Sequence, residues 1–339
     1  MFFYMFGIDQ EKPEACAQEL ARRGFSAVVC SPEKRWIQAV RQSGMDAYAC
    51  VSAFAVRDSD ALCRDVDGVE RIWFSSGCPT DASANARREE AWRKVAETEG
   101  LTGVFLDGAR FASPASPEGW ESLLTCFCPS CAARMTAEGM DAEAVRSSVK
   151  AWGKGTGVVD ERSWMDWLRF RRIVVEETMS RFAKAVRSVH AHLRTGAFVF
   201  PASLGALVGQ TEFPEGTLDF VLPMLYRRFP ERKGPACLNH EYHALERNIG
   251  RERTKALTGV LPPENVLQEG FPPSALEEET RRARRSVPGT LAPIVQIMDE
   301  RLAESIAAVR AGGAQGVGFF AYADQYRKYL PDLTEFSGE

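Results

Sequence analysis

The sequence predicts an α/β fold, a single (β/α)8 TIM barrel over residues 1–339 with a long insertion after its fourth strand. Three observations carry this prediction. Eight short runs rich in Val, Phe and Tyr, bounded by Gly, Pro or Asp, alternate with amphipathic runs along the whole chain. No glycine-rich phosphate loop follows the runs that end at residues 8 and 30, where a doubly wound open sheet would carry one. With 339 residues and 45% hydrophobic content, the chain can bury a large core.

The strand-like runs are, in order, FFYMFGI (2–8), SAVVC (26–30), AYACVSAF (47–54) and TGVFLD (102–107), then TGAFVF (195–200), DFVLPMLY (219–226), APIVQIM (292–298) and GVGFFAYA (316–323). Helical patterns such as PEACAQELARRG, ANARREEAWRKVAETEG and RLAESIAAVRAGG fall between them. Two further apolar pieces, RIWFSS (71–76) and KALTGVL (255–261), compete for a place in the count; either is an added strand or the true seventh. The longest departure from regular alternation is about 108–160. Loops after barrel strands form the catalytic face, so an insertion there is where a substrate cleft would be built.

Composition narrows the partners. The formal net charge is -4 and the arginines are scattered along helical stretches, which leaves no electrostatic footprint for nucleic acid. The apolar N-terminal run meets Asp9, Glu11 and Lys12 at once, too early for a signal peptide or a membrane span, so a cytoplasmic protein without a membrane partner is expected. A homo-oligomer stays open. Nine cysteines in such a chain argue for reduced thiols or metal ligation over a disulfide framework.

Cys126, Cys128 and Cys131 lie within six residues, and Cys78 heads another loop. Four thiolates satisfy a tetrahedral zinc, and compact spacing lets neighbouring cysteines reach one ion. Cys30, Cys50 and Cys237, or a nitrogen from His190, His192, His240 or His243, compete with Cys78 for the fourth position.

The segments FSSGCPTDASANARREEAWRKVAE, TCFCPSCAARM and AWGKGT followed by DERSWMDWLRFRR, roughly residues 73–190, resemble the β-galactosidases of glycoside hydrolase family 42. The resemblance implies a structural zinc pinning a long loop beside the substrate cleft, with Cys78, Cys126, Cys128 and Cys131 as ligands. The pieces GVFLDGARF, VGQTEF, DFVLPMLY and GAQGVGFFAYAD look like the hypothetical glycoside hydrolases with a barrel fold. Family 42 ends its fourth strand on an Asn-Glu pair whose glutamate is the acid/base; this chain has LDGAR there. Its strand-seven nucleophile is also a glutamate, where this chain offers Gln296, Asp299 and Glu300.

Asp107 closes an apolar strand and opens the insertion, the position from which barrel enzymes project catalytic groups. Glycoside hydrolysis needs two carboxyl groups flanking the bond. Asp299 is the expected partner, because the tips of strands four and seven face each other in the superfamily the chain resembles. If KALTGVL is the seventh strand, Glu264 or Glu269 takes its place. Asp9, Gln296 and Asp324 sit at equivalent tips, whereas Asp219 starts its strand and falls on the opposite, stabilising face. Sugar rings stack on aromatics near the mouth while polar groups fix their hydroxyls; Trp120, Tyr226 and Tyr322 suit the first role and Arg110 the second. Trp152, Trp164 and Trp167 read as packing along a helix. The function expected is a glycoside hydrolase acting on a small glycoside or oligosaccharide, with a structural zinc. The alternative is a carbohydrate-binding or regulatory barrel that keeps scaffold and metal without turnover; an all-thiolate ligand set disfavours a catalytic zinc.

Overall fold

The computed structural model describes residues 2–57, 60–229 and 237–336. Its parallel strands are β1 (Phe2–Phe6), β2 (Ala27–Cys30), β3 (Asp46–Ser52), β4 (Gly103–Asp107), β5 (Arg194–Val199), β6 (Phe220–Pro223), β7 in two pieces (Thr290–Leu291 and Ile294–Gln296) and β8 (Gly316–Phe320). Each pairs with the next in sequence, and β1 pairs with β8 from Phe2↔Gly316 to Met5↔Phe319.

Strand β7 closes the ring. Its first piece pairs with β6 (Phe220↔Thr290) and its second with β8 (Ile294↔Gly318). Between them stands Pro293, which has no N–H to give to a ladder. Its carbonyl still accepts the amide of Gly318 at 2.8 Å, and the carbonyl of Ile294 accepts the amide of Leu225 at 2.8 Å, so the two pieces act as one strand bridging both neighbours. All eight runs expected as strands therefore form the barrel. The competing pieces do not. Residues 255–258 of KALTGVL lie in the helix Arg251–Thr258, and RIWFSS follows a two-stranded antiparallel ladder, Cys63–Arg64 with Glu70–Arg71, inside the loop after β3.

The barrel interior is filled by aromatic rings. Tyr48 stacks on Phe105 at 4.6 Å, and Tyr4 and Phe220 pack on the same pair at 5.8–6.2 Å. Glycine makes the room: a Cβ at Gly196 would lie 2.8 Å from the Phe105 ring, and one at Gly103 would lie 2.2 Å from the carbonyl oxygen of Arg194. Above this layer Phe6 meets Phe198 edge-on at 4.8 Å and forms the floor of the barrel mouth.

The insertion carries the helices Pro129–Ala137 and Ala142–Lys154 and leads into the long helix Glu161–Val189. Asp141 and Asp160 cap two of them, accepting from Ala144 N at 3.0 Å and Ser163 N at 2.8 Å. Trp120, Trp152, Trp164 and Trp167 form one cluster with centroids 4.4–6.3 Å apart, which fastens the insertion to the long helix. Among the described residues no helix is long and apolar enough to cross a membrane.

Candidate functional site

A cleft of about 580 Å³ opens at the C-terminal ends of the strands, walled by seven of the eight strands and by the segment that follows β6. Phe6, Cys30, Cys50, Asp107 and Phe198 come from β1 to β5, Ile294 and Phe320 from β7 and β8, and Tyr226 and Tyr322 from the segments after β6 and β8. A groove of similar volume lies outside the barrel near Thr80 and Arg134. Its carboxylates Glu177 and Glu89 are already paired with Arg134 and Arg181 at 2.6 and 3.2 Å, so the barrel mouth is the place with uncommitted chemistry.

Asp107 is the only carboxylate among the described residues lining this cleft. Its backbone is fixed by the β3 ladder, and its carbonyl accepts the amide of Ala53 at 2.8 Å. Burial holds its carboxyl pKa above the ordinary value, opposed by the Arg110 cation and the Gly108 amide. The acid therefore keeps its proton to higher pH than a surface aspartate. Arg110 is held flat between the rings of Trp73 and Phe200, at 4.9 and 4.5 Å, and Nη1 donates to the Phe111 carbonyl at 3.0 Å. Burial lowers its pKa, while Glu241, Asp107 and Glu118 hold it up. Glu241 is itself fully buried, accepting from Ser113 Oγ at 2.8 Å and Ala115 N at 2.7 Å. Burial pushes the Tyr226 phenol up, with Cys237 and Asp107 adding to it, so Tyr226 is a neutral donor beside Asp107.

Of the residues singled out in the sequence, Asp107, Arg110, Tyr226 and Tyr322 line the cleft. Asp299 does not. Both its oxygens are within 2.9 Å of Arg227 Nε, Ser305 Oγ donates to Oδ2 at 2.7 Å, and the amide of Arg301 donates to Oδ1 at 3.0 Å. The ion pair is 3% and 4% exposed, and it anchors the start of the helix Leu302–Ala311. Asp9 fixes the turn ahead of the helix Pro13–Arg22, accepting from Glu11 N at 2.9 Å and Lys12 N at 2.7 Å. That amide and a hydrogen bond to Asp324 hold Asp9 low, and Asp9 in turn raises Asp324. Neither is in the cleft wall. Trp120 is engaged in the tryptophan cluster and donates to the Gly153 carbonyl at 2.9 Å, and Gln296 is buried at the end of β7. Glu269, the alternative partner, is exposed and accepts from Asn265 at 3.1 Å.

The sequence reading missed Phe74, Phe198, Phe229 and the thiols of Cys30, Cys50 and Cys237 as lining residues. Burial pushes the Cys30 thiol up to about 12 and raises Cys50 well above the ordinary thiol value, so both are neutral. The cleft is thus largely apolar and aromatic around one carboxyl group.

The second feature is a buried cluster of four sulfurs. The Sγ atoms of Cys78, Cys126, Cys128 and Cys131 all lie within 4.8 Å of one another, with Cys78 at 3.3 Å from Cys128 and 3.7 Å from Cys131. A tetrahedral ion with metal–sulfur bonds of about 2.3 Å holds its sulfurs about 3.8 Å apart, so the set fits a metal ion. Local structure makes the cluster. Pro129 starts a helix whose N-cap is Cys128, the Cys131 amide donates to Cys128 Sγ at 3.5 Å, and the i, i+3 spacing aims both sulfurs the same way. The positive end of that helix favours thiolates. Cys78 arrives from the loop after β3, so the cluster joins that loop to the insertion.

Neither a family profile nor a curated protein sequence matches the chain. Its structure is similar to solved structures. The PgaB (BpsB) glycoside hydrolase domain from Bordetella bronchiseptica aligns with a TM-score of 0.60 at 13% identity over 98% of this chain and 96% of that one. The β-galactosidase of the psychrophilic Marinomonas ef1 gives 0.62 at 13% identity, over 95% of this chain and 54% of that one. That of the Antarctic haloarchaeon Halorubrum lacusprofundi gives 0.61 at 15%, over 95% and 53%. The chain thus spans about half the length of these β-galactosidases. At such identities the likeness is one of fold: the chain is built on the barrel that these glycoside hydrolases share.

Proposed function

We propose that the protein is a cytoplasmic glycoside hydrolase acting on a small glycoside or oligosaccharide at the barrel mouth, with Asp107 as its acid. The carrying observation is the placement of Asp107. It is the one carboxyl group in the cleft among the described residues, and burial raises its pKa, which favours the protonated form needed to give a proton to a glycosidic oxygen. Arg110 and Tyr226 supply donors to sugar hydroxyls, and the aromatic wall supplies stacking faces. In this reading Cys78, Cys126, Cys128 and Cys131 hold a structural zinc that fixes the cleft loops, since four sulfur ligands leave no position for a reacting water.

The expected second carboxylate, Asp299, serves as a partner only if its pair with Arg227 opens, and breaking a buried pair costs about 3–5 kcal/mol. That observation favours a second reading, a carbohydrate-binding barrel without turnover. Aryl glycosides of several sugars, tested for turnover and for binding by calorimetry with parent and Asp107→Asn, separate the two. Hydrolysis that falls about 10²–10⁴-fold in the variant supports the hydrolase. Sugar binding without turnover supports the second reading, and neither binding nor turnover removes both.

A further inference from the structure

Two arginines flank the four sulfurs: Arg88 is bonded to the backbone of a ligand and Arg171 to that of the residue before one, and among the described residues neither has an ion pair. Arg88 is 5% exposed. Its Nη1 donates to the carbonyl of Cys78 at 3.0 Å and to Asn85 Oδ1 at 2.8 Å, and its other nitrogens donate to the carbonyls of Ala55 and Phe54 at 3.2 Å. Arg171 is 0% exposed. Its Nη2 donates to the carbonyls of Leu123 and, at 2.6 Å, of Thr125, the residue before Cys126. Its Nη1 donates to the Leu207 carbonyl, its guanidinium lies 3.8 Å above the Trp167 ring, and its Nε has no hydrogen-bond partner.

Carbonyls and rings solvate a cation but do not neutralise it. Removing an unpaired charge from water costs several kcal/mol even after the surroundings relax, so a buried guanidinium calls for a nearby negative charge. The ionisable groups facing Arg171 are the sulfurs of Cys63, Cys126 and Cys131. Those facing Arg88 are Cys78, Asp81, Cys63 and the like-charged Arg181. Asp81 is committed elsewhere, accepting from Ala84 N at 2.9 Å and Ala61 N at 3.3 Å. Cys63 is engaged as a thiol, its Sγ donating to the Gly77 carbonyl at 3.7 Å, and what remains is the cluster of Cys78, Cys126, Cys128 and Cys131. Four thiolates around one divalent ion form a dianion, and two guanidinium groups balance it.

We propose that Arg88 and Arg171 are the counter-cations of the four-thiolate metal centre, so that each side supplies the charge the other needs in order to be buried. The inference rests on the cluster binding a metal. It makes the arginines positioning residues rather than ligands, one on the Cys78 side of the staple and one on the Cys126 side. Lysine keeps the charge and loses the forked hydrogen bonds, whereas glutamine keeps part of the hydrogen bonding and loses the charge. Zinc affinity is read by competition with the chromogenic chelator 4-(2-pyridylazo)resorcinol on full-length parent, Arg88→Lys, Arg88→Gln, Arg171→Lys and Arg171→Gln. The glutamine variants are expected to bind zinc about 10–100-fold more weakly, the range for outer-shell partners of a metal site, with the lysine variants close to the parent. Equal loss in lysine and glutamine variants, or full affinity in the glutamine variants, overturns the proposal and leaves the metal reading standing. A parent that takes up no zinc removes the metal reading itself. Should Arg171 variants not fold, the Arg88 pair alone decides.

Discussion

The sulfur corner and the barrel mouth are built from neighbouring loops, yet they differ in what their side chains are free to do. At the corner the polar groups turn on one another: four sulfurs face each other, Thr80 Oγ1 lies 3.2 Å from Cys131 Sγ, and Arg88 and Arg171 donate to backbone carbonyls. At the mouth the carboxyl group of Asp107 meets mainly rings and neutral thiols. The corner spends its chemistry on shape, and the mouth keeps one group in reserve. A buried polar group left uncommitted is a candidate for work with a ligand, and on that ground we propose architecture for one region and recognition for the other.

The largest effect is expected at the corner. In Cys128→Ser/Cys131→Ser the tetrathiolate set is lost, and structural zinc sites in small domains carry about 10–16 kcal/mol of apparent binding free energy at neutral pH. Zinc content should fall to background and the melting temperature should drop steeply. Full zinc retention in that variant would place the metal elsewhere. The barrel strands lie outside the staple, so far-UV circular dichroism at low temperature should survive better than thermal stability does.

Next comes the residue that sits between the two regions in character. Asp299→Ala leaves the Arg227 guanidinium buried with only the exposed Glu300 as partner, at 2.6 Å, and should destabilise the fold by about 3–5 kcal/mol while zinc content stays unchanged. Denaturant titration reads the loss. If stability is instead near parental and aryl-glycoside turnover falls as far as in Asp107→Asn, then Asp299 is the second carboxylate after all and the mouth holds a pair.

A smaller effect, with opposite signs in two measurements, belongs to Phe74. It is 46% exposed and overhangs the cleft from a tight turn in which Phe74 and Ser75 have φ of 48° and 55° and the Ser76 amide donates to the Trp73 carbonyl at 2.9 Å. Both central residues of such a turn favour glycine or asparagine. Glu118 of the insertion braces it, accepting the Phe74 amide at 3.1 Å. A ring displayed at the cost of left-handed backbone points to use at the cleft. Phe74→Gly should therefore raise stability by about 1 kcal/mol, from relief at a left-handed position, and weaken binding of any aryl glycoside the parent binds by up to about tenfold, the value of one aromatic contact. Unchanged binding would make the turn a purely structural corner.

What could be read from the sequence divides along the same line. All eight barrel strands were visible, because apolar runs separated by amphipathic helices are a local signal. The cysteine cluster was visible because three of its members fall within six residues of the chain. The commitments of the strand-tip residues were not. Asp299 looks like any other tip aspartate until Arg227, 72 residues earlier, takes both its oxygens, and Trp120 looks like a sugar platform until Trp152 stacks on it. Phe198 and Cys50 alternate with core residues along their strands, so their facing the cleft is a matter of height in the barrel, which no periodicity encodes.

The smallest effect is the most specific test of the contrast, because it asks whether Asp107 is uncommitted. Burial raises its folded-state pKa above 3.8, so the fold prefers the protonated acid. By linkage, the stability this group contributes is fully present below 3.8 and is lost as pH rises through the raised folded value, where the fold must hold a buried anion that the unfolded chain leaves in water. Asp107→Asn is nearly isosteric and never charges. Melting temperatures of parent and variant should therefore coincide at the acid end of that window, and the variant should become the more stable of the two as pH climbs toward neutrality. A carboxylate engaged in a structural pair gives the reverse: its folded pKa is depressed, and the asparagine variant is the less stable one at neutral pH. A gain in stability joined to a loss of turnover is the signature expected where a fold gives up stability to keep a reactive group at its active site. A neutral-pH loss of stability in Asp107→Asn would instead move Asp107 to the side of the molecule's architecture, and the search for the acid would turn to Asp9 and Asp324.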